Sequence, residues 1–459
     1  LKLTLTFMEL NTMINPHNVR SSIAKYMLAD GMDPIIDLEK SHGSWLVDAR
    51  DGKEYLDLFS MFASMPVGYN HPYILEHSEI LTKAALNKPT NSDIYSTQMA
   101  HFVDTMGRIA QPKYLPHSFY IEGGGLAIEN ALKTAFDWKV RKNIEKGNGI
   151  LGSKIIHFKD CFHGRTGYTL SLTDSPDPRK TMYFPRFDWP RITNPKITFP
   201  ISDHLDNIVD AERTAIAEIK EAFQQNKNDI AGIIIEPIQG EGGDNHFRNE
   251  FFKELKTLSL ENEALLIYDE VQTGIGITGR MWAHQDLCKP ECHACDNHCK
   301  DREPDIIGFG KKTQVCGIFV GERIEEVENN VFNESSRLNS TWGGNIVDMV
   351  RLSLYLDIIE NENLVDYART AGNYLKSKIN DIQNEFPDLV SNTRGRGLFT
   401  AFDLPDSDSR DQLANIILDE GAIVLGSGIQ SIRFRPHLNI TEDEIDHGID
   451  IIKRSLHKM

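Results

Sequence analysis

The chain has 459 residues, of which 40% are hydrophobic and 25% are charged, and its formal net charge is -18. This composition is typical of a globular protein with ample core material, and the length favours roughly two to four domains. Because so acidic a surface repels polyanions, nucleic acid is a poor candidate partner. The sequence has no apolar run near the roughly 18 residues of a membrane-spanning helix and no signal-peptide pattern at its start. A cytoplasmic location is therefore expected.

The first strand signals lie in GSWLVDARDGKEYLDL, residues 43–58, where two strand-like runs flank a polar turn. From about residue 119, short β-branched or aromatic runs alternate with helical patterns. These runs are SFYIE, KIIHF, AGIIIEP, ALLIYDE, DIIGFG and CGIFVG. Strands that alternate with helices predict a mainly parallel sheet with helices on both faces. Such sheets bind ligands beyond the carboxyl ends of their strands.

After about residue 346 the pattern changes to long helices, the strands AIVLG and SIRFRP, and a closing helix. Thr441 and Glu444 form the capping-box pattern at the start of that helix. Its apolar stripe consists of Ile445, Ile449, Ile452 and Leu456. We interpret this region as a smaller α+β domain that the N-terminal strand pair joins. The expected division is residues 1–75 as the N-terminal segment of the small domain, 76–345 as the large domain and 346–459 as the C-terminal small domain.

Three places at the strand ends carry chemistry. The glycines 123–125 lie between a strand and a helix, where a phosphate binds well, although a plain tight turn is equally compatible. Asp269 and Glu270 end a buried strand, either as a helix N-cap pair or as an anion for a cationic group. Lys311 ends another strand of the sheet. Burial lowers the pKa of a lysine, and the neutral amine condenses with carbonyl groups.

These three places together describe one cofactor. A phosphate suits the glycine turn, a protonated ring nitrogen suits Asp269, and an aldehyde suits Lys311. Pyridoxal phosphate carries all three groups, so the sequence predicts a pyridoxal phosphate site.

Residues 33–457 resemble the class III, or ω-amino-acid, aminotransferases of fold-type I. The motifs that carry the resemblance are EGGGLAIENALKTAFDWK, CFHGRTGYT, EPIQGEGGD, YDEVQTG, GFGKKTQVCG, RLNSTWGGN and SIRFRP. It implies an α/β fold whose large domain has a mainly parallel seven-stranded sheet, beside a smaller α+β domain. It also implies a homodimer with active sites at the interface. In detail these motifs are most similar to those of the lysine 6-aminotransferases.

The resemblance implies the cofactor contacts residue by residue. It selects Lys311 over Lys312 as the lysine that bonds the aldehyde, because the family places that lysine directly after a small residue, here Gly310. It assigns Asp269 to the ring nitrogen. The other cofactor contacts that it implies are Gly124 and Gly125 at the phosphate, Phe162 on the ring, Gln272 beside the ring hydroxyl, His163 and Glu236 in a supporting network, and Ser340 and Thr341 at the phosphate of the other subunit.

Substrate contacts follow from the same resemblance. Arg165 resembles the arginine that binds the α-carboxylate of lysine, and Arg433 the one that binds the α-carboxylate of 2-oxoglutarate. Glu241 resembles the carboxylate that pairs with Arg433 while lysine is bound and then swings aside; a purely structural ion pair is the alternative. The resemblance also implies Asn339 as a substrate contact and places Phe62 in the wall of the expected substrate tunnel.

The implied reaction transfers the ε-amino group of L-lysine to 2-oxoglutarate in two half-reactions, giving L-2-aminoadipate 6-semialdehyde and L-glutamate. One alternative is an aminotransferase for ornithine or 4-aminobutyrate. An alternative of another class is a non-catalytic metal-binding interaction protein on the same fold.

One segment, at residues 286–303, departs from the family pattern. It contains the sequence CKPECHACDNHCKDRE, with four cysteines at Cys288, Cys292, Cys295 and Cys299. Four thiolates so close in sequence suit a tetrahedral structural zinc ion. An iron-sulfur cluster is the second possibility, and a redox-active or disulfide-bonded loop is the third.

Overall fold

The protein is described here by a computed structural model that covers residues 14–288 and 299–459. The strands in these residues form three sheets. They are β1 Trp45–Val47, β2 Glu54–Asp57, β3 His117–Ile121, β4 Lys154–Phe158, β5 Arg191–Ile192, β6 Ile230–Ile235, β7 Leu265–Asp269, β8 Ile306–Phe309, β9 Cys316–Val320, β10 Ser391–Arg396, β11 Phe399–Asp403, β12 Ala422–Ile423, β13 Leu425–Ser427 and β14 Ser431–Phe434.

The helices of the described residues cover the sheets and connect their strands. They are α1 Val19–Ile23, α2 Ser60–Ala63, α3 Pro72–Glu76, α4 Ser78–Ala85, α5 Thr97–Ile109, α6 Gly124–Glu145, α7 Gly167–Leu172, α8 Ile201–Gln225, α9 Asn249–Glu261, α10 Ile346–Asn361, α11 Leu364–Glu385, α12 Ser407–Asp419 and α13 Glu442–Leu456. The single turn α2 differs from the others, because all four of its residues have positive φ angles. No helix in the described part of the chain combines the length and apolar character that a membrane crossing needs.

The main sheet has seven strands in the order β3-β9-β8-β7-β6-β4-β5. The five strands β8, β7, β6, β4 and β5 run parallel to one another, whereas β9 is antiparallel to both β3 and β8. Every residue of β6, β7, β8 and β9 is buried. Burial on both faces explains why these strands are apolar runs rather than alternating ones. The predicted mainly parallel seven-stranded sheet is confirmed.

Successive residues of the central strands face two separate cores. Ile233 and Leu266 pack in the core that contains Phe252 of α9, whereas Ile234 and Ile267 pack in the core formed with α6. This two-residue period is that of a strand with helices above and below it. Helices on both faces fix the sheet and therefore fix the loops that leave its strand ends.

Two smaller sheets complete the fold. The four-stranded sheet has the antiparallel order β10-β11-β14-β13, and the three-stranded sheet has the order β1-β2-β12. Ala422 of β12 pairs with Leu56 of β2, so the N-terminal strand pair joins a C-terminal strand, as predicted. The exact domain boundaries given by the sequence remain predictions.

The closing helix α13 begins as the sequence predicts. The backbone N–H of Glu444 donates to Oγ1 of Thr441 at 3.2 Å, and the backbone N–H of Thr441 donates to Oε2 of Glu444 at 2.8 Å. This reciprocal pair is the capping box. The predicted apolar stripe of α13 is buried along its whole length.

Candidate active site

A cavity of about 220 Å³ lies at the carboxyl ends of the main-sheet strands. Its walls come from the segments that follow β3, β4, β6, β7 and β8, which run in the same direction. The residues that line it are Gly124, Gly125, Phe162, His163, Gly164, Glu236, Glu241, Asp269, Val271, Gln272 and Lys311. All of these except Gly164 and Val271 are predicted site residues. The parallel sheet therefore brings together residues that lie as far apart in the sequence as Gly124 and Lys311.

The glycine turn after β3 leaves one wall of the cavity without side chains. Gly123 precedes α6 with φ of 96°, a conformation that favours glycine. A Cβ atom at Gly124 would lie 3.0 Å from Cγ1 of Val271. The first N–H groups of a helix have no partner within that helix. At the start of the 22-residue α6, they form a suitable site for a phosphate oxygen.

Asp269 ends β7 and is paired with a buried histidine. Its Oδ2 lies 2.8 Å from Nδ1 of His163, and its Oδ1 accepts a hydrogen bond of 3.0 Å from the backbone of Val271. Burial lowers the pKa of His163, but Cys161 and Asp269 outweigh this effect and raise that pKa well above its usual value. A protonated His163 forms an ion pair with the Asp269 carboxylate, which lines the cavity.

Glu236 supports the opposite wall. Its carboxylate accepts hydrogen bonds from the backbone N–H groups of Phe162 at 2.9 Å and Gly240 at 3.0 Å. Burial, together with the charge of Asp269, raises the pKa of Glu236 to about 7. Glu236 therefore holds both the segment that carries the Phe162 ring and the loop that leads to Glu241.

The adjacent lysines 311 and 312 have different roles. Nζ of Lys312 is buried and donates a hydrogen bond of 2.9 Å to the backbone carbonyl of Gln272. Lys311 has φ of 55° and lines the cavity, and its ammonium group makes no hydrogen bond to the described residues. Burial and the nearby Arg433 lower the pKa of Lys311 to about 8. The amine of Lys311 is thus open to the cavity, whereas the amine of Lys312 is held by the backbone.

Glu241 lies between two cations. Its Oε2 is 3.1 Å from Nη2 of Arg433, which is buried on β14, and its Oε1 contacts Nζ of Lys180. Burial raises the pKa of Glu241, but Arg433 and Lys180 together bring it below its usual value. Nζ of Lys180 also lies 5.9 Å from the centroid of the Phe162 ring. Lys180 was not predicted as a site residue, because it lies in no motif and is 61 residues from Glu241.

A second arginine at the end of β14 was also missed. Arg435 forms a two-point ion pair with Asp244, with N–O distances of 2.6 and 2.8 Å. Its Nη2 also donates to Oε1 of Gln272 at 2.9 Å, and Nη1 of Arg433 lies 3.4 Å from the same oxygen. The two arginines therefore fix the Gln272 side chain at the cavity wall. In the sequence, the motif RFRP shows arginines at alternate positions, but it does not show which groups they bind.

Six of the predicted cofactor- and substrate-binding residues do not line the cavity of the single chain: Phe62, Arg165, Asn339, Ser340, Thr341 and Arg433, the last of which contacts the lining residue Glu241. Arg165 is exposed and makes no hydrogen bond or ion pair with the described residues, so its guanidinium is available to a ligand. Phe62 lies in the left-handed turn α2 and is 53% exposed. Asn339 and Thr341 are exposed, and Ser340 is half-buried.

The predicted metal site lies only partly in the described residues. Sγ of Cys288 and Sγ of Cys299 lie 3.2 Å apart. Cys292 and Cys295 fall outside the described residues. Among residues 14–288 and 299–459, no group of three or more histidine, cysteine, aspartate or glutamate side chains is arranged to hold a metal ion.

Comparisons with known proteins agree with this geometry. Residues 27–456 match the family model for class-III aminotransferases. The chain is 46% identical over 445 residues to an L-lysine-epsilon aminotransferase of Mycobacterium tuberculosis, covering 96% of each chain. It is 45% identical over 443 residues to an L-lysine-epsilon aminotransferase of Amycolatopsis lactamdurans, covering 96% of this chain and 95% of that one. The solved structure of lysine aminotransferase from M. tuberculosis superimposes with a TM-score of 0.92 at 46% identity, over 97% of this chain and 100% of that one.

Proposed function

The chain belongs to the class-III aminotransferase family, and from this premise we propose that it transfers the ε-amino group of L-lysine to 2-oxoglutarate. The products are L-2-aminoadipate 6-semialdehyde and L-glutamate. The observation that carries the proposal is the pairing of Arg433 with Glu241 beside Lys311, together with an unpaired Arg165. The similarity to two bacterial L-lysine-epsilon aminotransferases supports the same substrate.

Enzymes of this family use pyridoxal phosphate, and the cavity fits that cofactor. The side-chain-free turn at α6 suits the phosphate, the Asp269 carboxylate suits a protonated ring nitrogen, and Lys311 suits the aldehyde. When bound, pyridoxal phosphate supplies an aldehyde that condenses with amines and a ring that stores the electron pair of a broken C–H bond. We assign Gly124, Gly125, Phe162, His163, Glu236, Asp269, Gln272 and Lys311 to this site.

Lys311 carries the proton in the proposed reaction. With a pKa of about 8, a useful fraction of its amine is neutral near pH 7.5. Once the substrate amine has taken the place of Lys311 at the cofactor aldehyde, Nζ of Lys311 is free to accept the proton that leaves the substrate carbon. His163 acts at a distance by holding the Asp269 carboxylate in position.

The pair of Glu241 and Arg433 decides which amine of lysine reacts. A free Arg433 would bind the α-carboxylate of lysine with two hydrogen bonds and so present the α-amine. While Glu241 occupies Arg433, the α-carboxylate instead binds to Arg165, and the ε-amine extends to Lys311. For 2-oxoglutarate, Glu241 moves aside and Arg433 takes the α-carboxylate. Phe62 and Asn339 complete the proposed substrate contacts.

Product analysis distinguishes the proposed function from its alternatives. We expect purified protein with lysine and 2-oxoglutarate to form the cyclised semialdehyde and glutamate in equal amounts. Good turnover of ornithine or 4-aminobutyrate without turnover of lysine would instead identify another ω-aminotransferase. A protein that binds metal but turns over none of these amines would favour the non-catalytic alternative.

We also propose that the enzyme is a homodimer with active sites at the interface. The single chain exposes several large apolar side chains, including Phe62 (53%), Ile94 (78%), Tyr95 (76%) and Trp342 (50%). Exposed side chains of this kind favour an interface. In the dimer, Ser340 and Thr341 would contact the phosphate bound to the other subunit. Analytical ultracentrifugation of the holoenzyme measures its oligomeric state directly.

For the cysteine segment we propose a structural zinc ion bound by Cys288, Cys292, Cys295 and Cys299. The closeness of the Cys288 and Cys299 sulfurs supports it. Thiolates of this kind persist in a reducing compartment, in keeping with the cytoplasmic location that we propose. Metal analysis should find about one zinc per chain, and a chelator should lower the melting temperature. Iron with visible absorbance would indicate a cluster, and a metal-free protein would reject both metals.

A further inference from the structure

A second cavity, separate from the active site, contains two unpaired cations. Its volume is about 530 Å³, and none of its lining residues lines the active-site cavity. One side consists of residues from 197 to 205 and 246 to 250, and the other of Lys376, Gly395 and Arg396. We call it the Lys376–Arg396 cavity. It lies where α11 and β10 meet the segments that precede α8 and α9.

Arg396 and Lys376 lack carboxylate partners. Both side chains are half-buried, and neither forms an ion pair within 4 Å among residues 14–288 and 299–459. The guanidinium of Arg396 makes no hydrogen bond there, and Nζ of Lys376 reaches only the backbone carbonyl of Gly395, at 3.4 Å. By contrast, the nearby Arg394 and Arg435 pair with aspartates at 2.8 and 2.6 Å. In a chain of net charge -18, two such unpaired cations in one cavity are unusual.

The carboxylates near the cavity are engaged with other groups. Glu250 lies 3.6 Å and Glu212 lies 3.2 Å from the guanidinium of Arg248, the third cation of the cavity. Asp286 and Glu270 act on Arg396 electrostatically from a longer distance. Asp286 pairs with Arg280 at 3.2 Å, and Glu270 is bound by His284 at 2.8 Å. Among the described residues, Lys376 and Arg396 therefore have no carboxylate within ion-pair distance, and Asp286 and Glu270 offset the charge of Arg396 only from farther away.

A buried histidine adds an unused polar atom to the same cavity. His246 is 3% exposed, and its Nε2 has no hydrogen-bond partner in the described structure. Burial and the charges of Arg396, Arg394 and Lys376 lower the pKa of His246 well below its usual value, so the ring is neutral. A neutral imidazole can donate one N–H hydrogen bond to an anion. A ligand oxygen would satisfy an atom that is otherwise costly to bury.

We propose that the Lys376–Arg396 cavity binds a small organic anion, with its oxyanion head between Lys376 and Arg396 and within reach of His246. The other wall is apolar and includes Phe199, Ile201 and Leu205. Two of these side chains are partly exposed, so an apolar group of the ligand would cover them. A carboxylate or a phosphate monoester with a short hydrocarbon part has the required chemistry. This site is independent of the proposed reaction.

Equilibrium dialysis of the cofactor-saturated enzyme tests the site. The probes are phenyl phosphate and phenylacetate, which carry the two possible heads on the same ring, and inorganic phosphate, which lacks the apolar part. We expect saturable binding of at least one aromatic probe, more tightly than inorganic phosphate. Lys376→Met should weaken that binding by about tenfold, because one charge-assisted hydrogen bond is lost. The control is Lys378→Met, which removes a lysine of the same helix that already pairs with Asp446 at 2.8 Å.

Arg396→Met should weaken binding similarly, and Lys376→Met keeps the test valid if the arginine variant does not fold. The probe that binds identifies the head group. The proposal is overturned if neither aromatic probe binds the wild type. It is equally overturned if binding is the same in wild type, Lys376→Met and Lys378→Met, because the probe would then occupy another place such as the active site.

Discussion

Oε2 of Glu241 lies 3.1 Å from Nη2 of Arg433, beside the lysine that faces the active-site cavity. The buried Arg433 is thus neutralised before any substrate binds. A ligand carboxylate can bind to Arg433 only if Glu241 moves away from it. We therefore expect the pair to make the site respond differently to an amino donor and to a keto acid.

Replacing Glu241 by glutamine should reverse this selectivity. The amide cannot neutralise Arg433, so the arginine becomes available to the α-carboxylate of any amino acid. We expect kcat/KM for lysine to fall by about tenfold or more, while 2-oxoglutarate binds at least as well as before. Single-turnover spectra of each half-reaction measure the two effects separately. Glu261→Gln, at an exposed position of α9, is the control; equal losses in both half-reactions would contradict the shielding role.

Replacing Lys180 by methionine should change the pH dependence of the lysine half-reaction. The pKa of Glu241 is lowered by Arg433 and Lys180, so the shielding carboxylate is present above that pKa and is lost as the pH falls through it. Without Lys180 the pKa rises, and the acidic limb of kcat/KM for lysine should move to higher pH. Lys180→Arg should restore the original limb. An acidic limb that stays in place in Lys180→Met would show that Lys180 does not act through Glu241.

The pH dependence of cofactor capture should report the amine of Lys311. Burial and Arg433 lower its pKa to about 8 in the cofactor-free protein. Below that pH the amine is protonated and does not attack an aldehyde, so the rate of holoenzyme formation should rise with pH and level off above about 8. Stopped-flow absorbance after mixing with pyridoxal phosphate gives the profile. A rate that keeps rising towards pH 10 would mean that the lysine has an ordinary pKa.

The residues that the sequence predicts best are those at strand ends. Asp269 and Lys311 each follow an uninterrupted apolar run, and a parallel sheet must place such ends together. The apolar pattern alone does not distinguish Lys311 from Lys312, and the choice of Lys311 came from the family resemblance, which places the reactive lysine directly after a small residue, here Gly310. The structure gives the physical difference, which is the hydrogen bond of Lys312 to the carbonyl of Gln272.

Other parts of the site could not be predicted because they depend on contacts distant in sequence. Lys180 meets Glu241 across 61 residues, and Arg435 meets Asp244 across 191. Charged residues in loops give no periodic signal for such pairs. The strand β10 was missed for a related reason: its sequence SNTRGR is polar and contains a glycine, and it becomes a strand by pairing with β11.

The two lysines also give a matched pair of variants for stability. Lys312→Met removes the buried donor to the Gln272 carbonyl, so the free energy of unfolding should fall by about 1–3 kcal/mol. Lys311→Met should leave the cofactor-free protein nearly as stable as wild type but abolish turnover. Denaturant unfolding of the cofactor-free proteins measures the first effect. Borohydride reduction and peptide mapping should find the pyridoxyl group on residue 311 in wild type and in Lys312→Met; label on residue 312 would reverse the assignment.

Hybrid dimers should reveal whether active sites are shared. One protomer carries Lys311→Ala, and the other carries Ser340→Ala with Thr341→Ala. If residues 340 and 341 serve the partner's phosphate, each hybrid contains one site with both defects and one fully native site. A random mixture of the two inactive variants should then recover about a quarter of wild-type activity at limiting cofactor, because half of its dimers are hybrids with one native site of two. If residues 340 and 341 act within their own chain, each hybrid site keeps one defect, and remixing recovers nothing above the two variants alone.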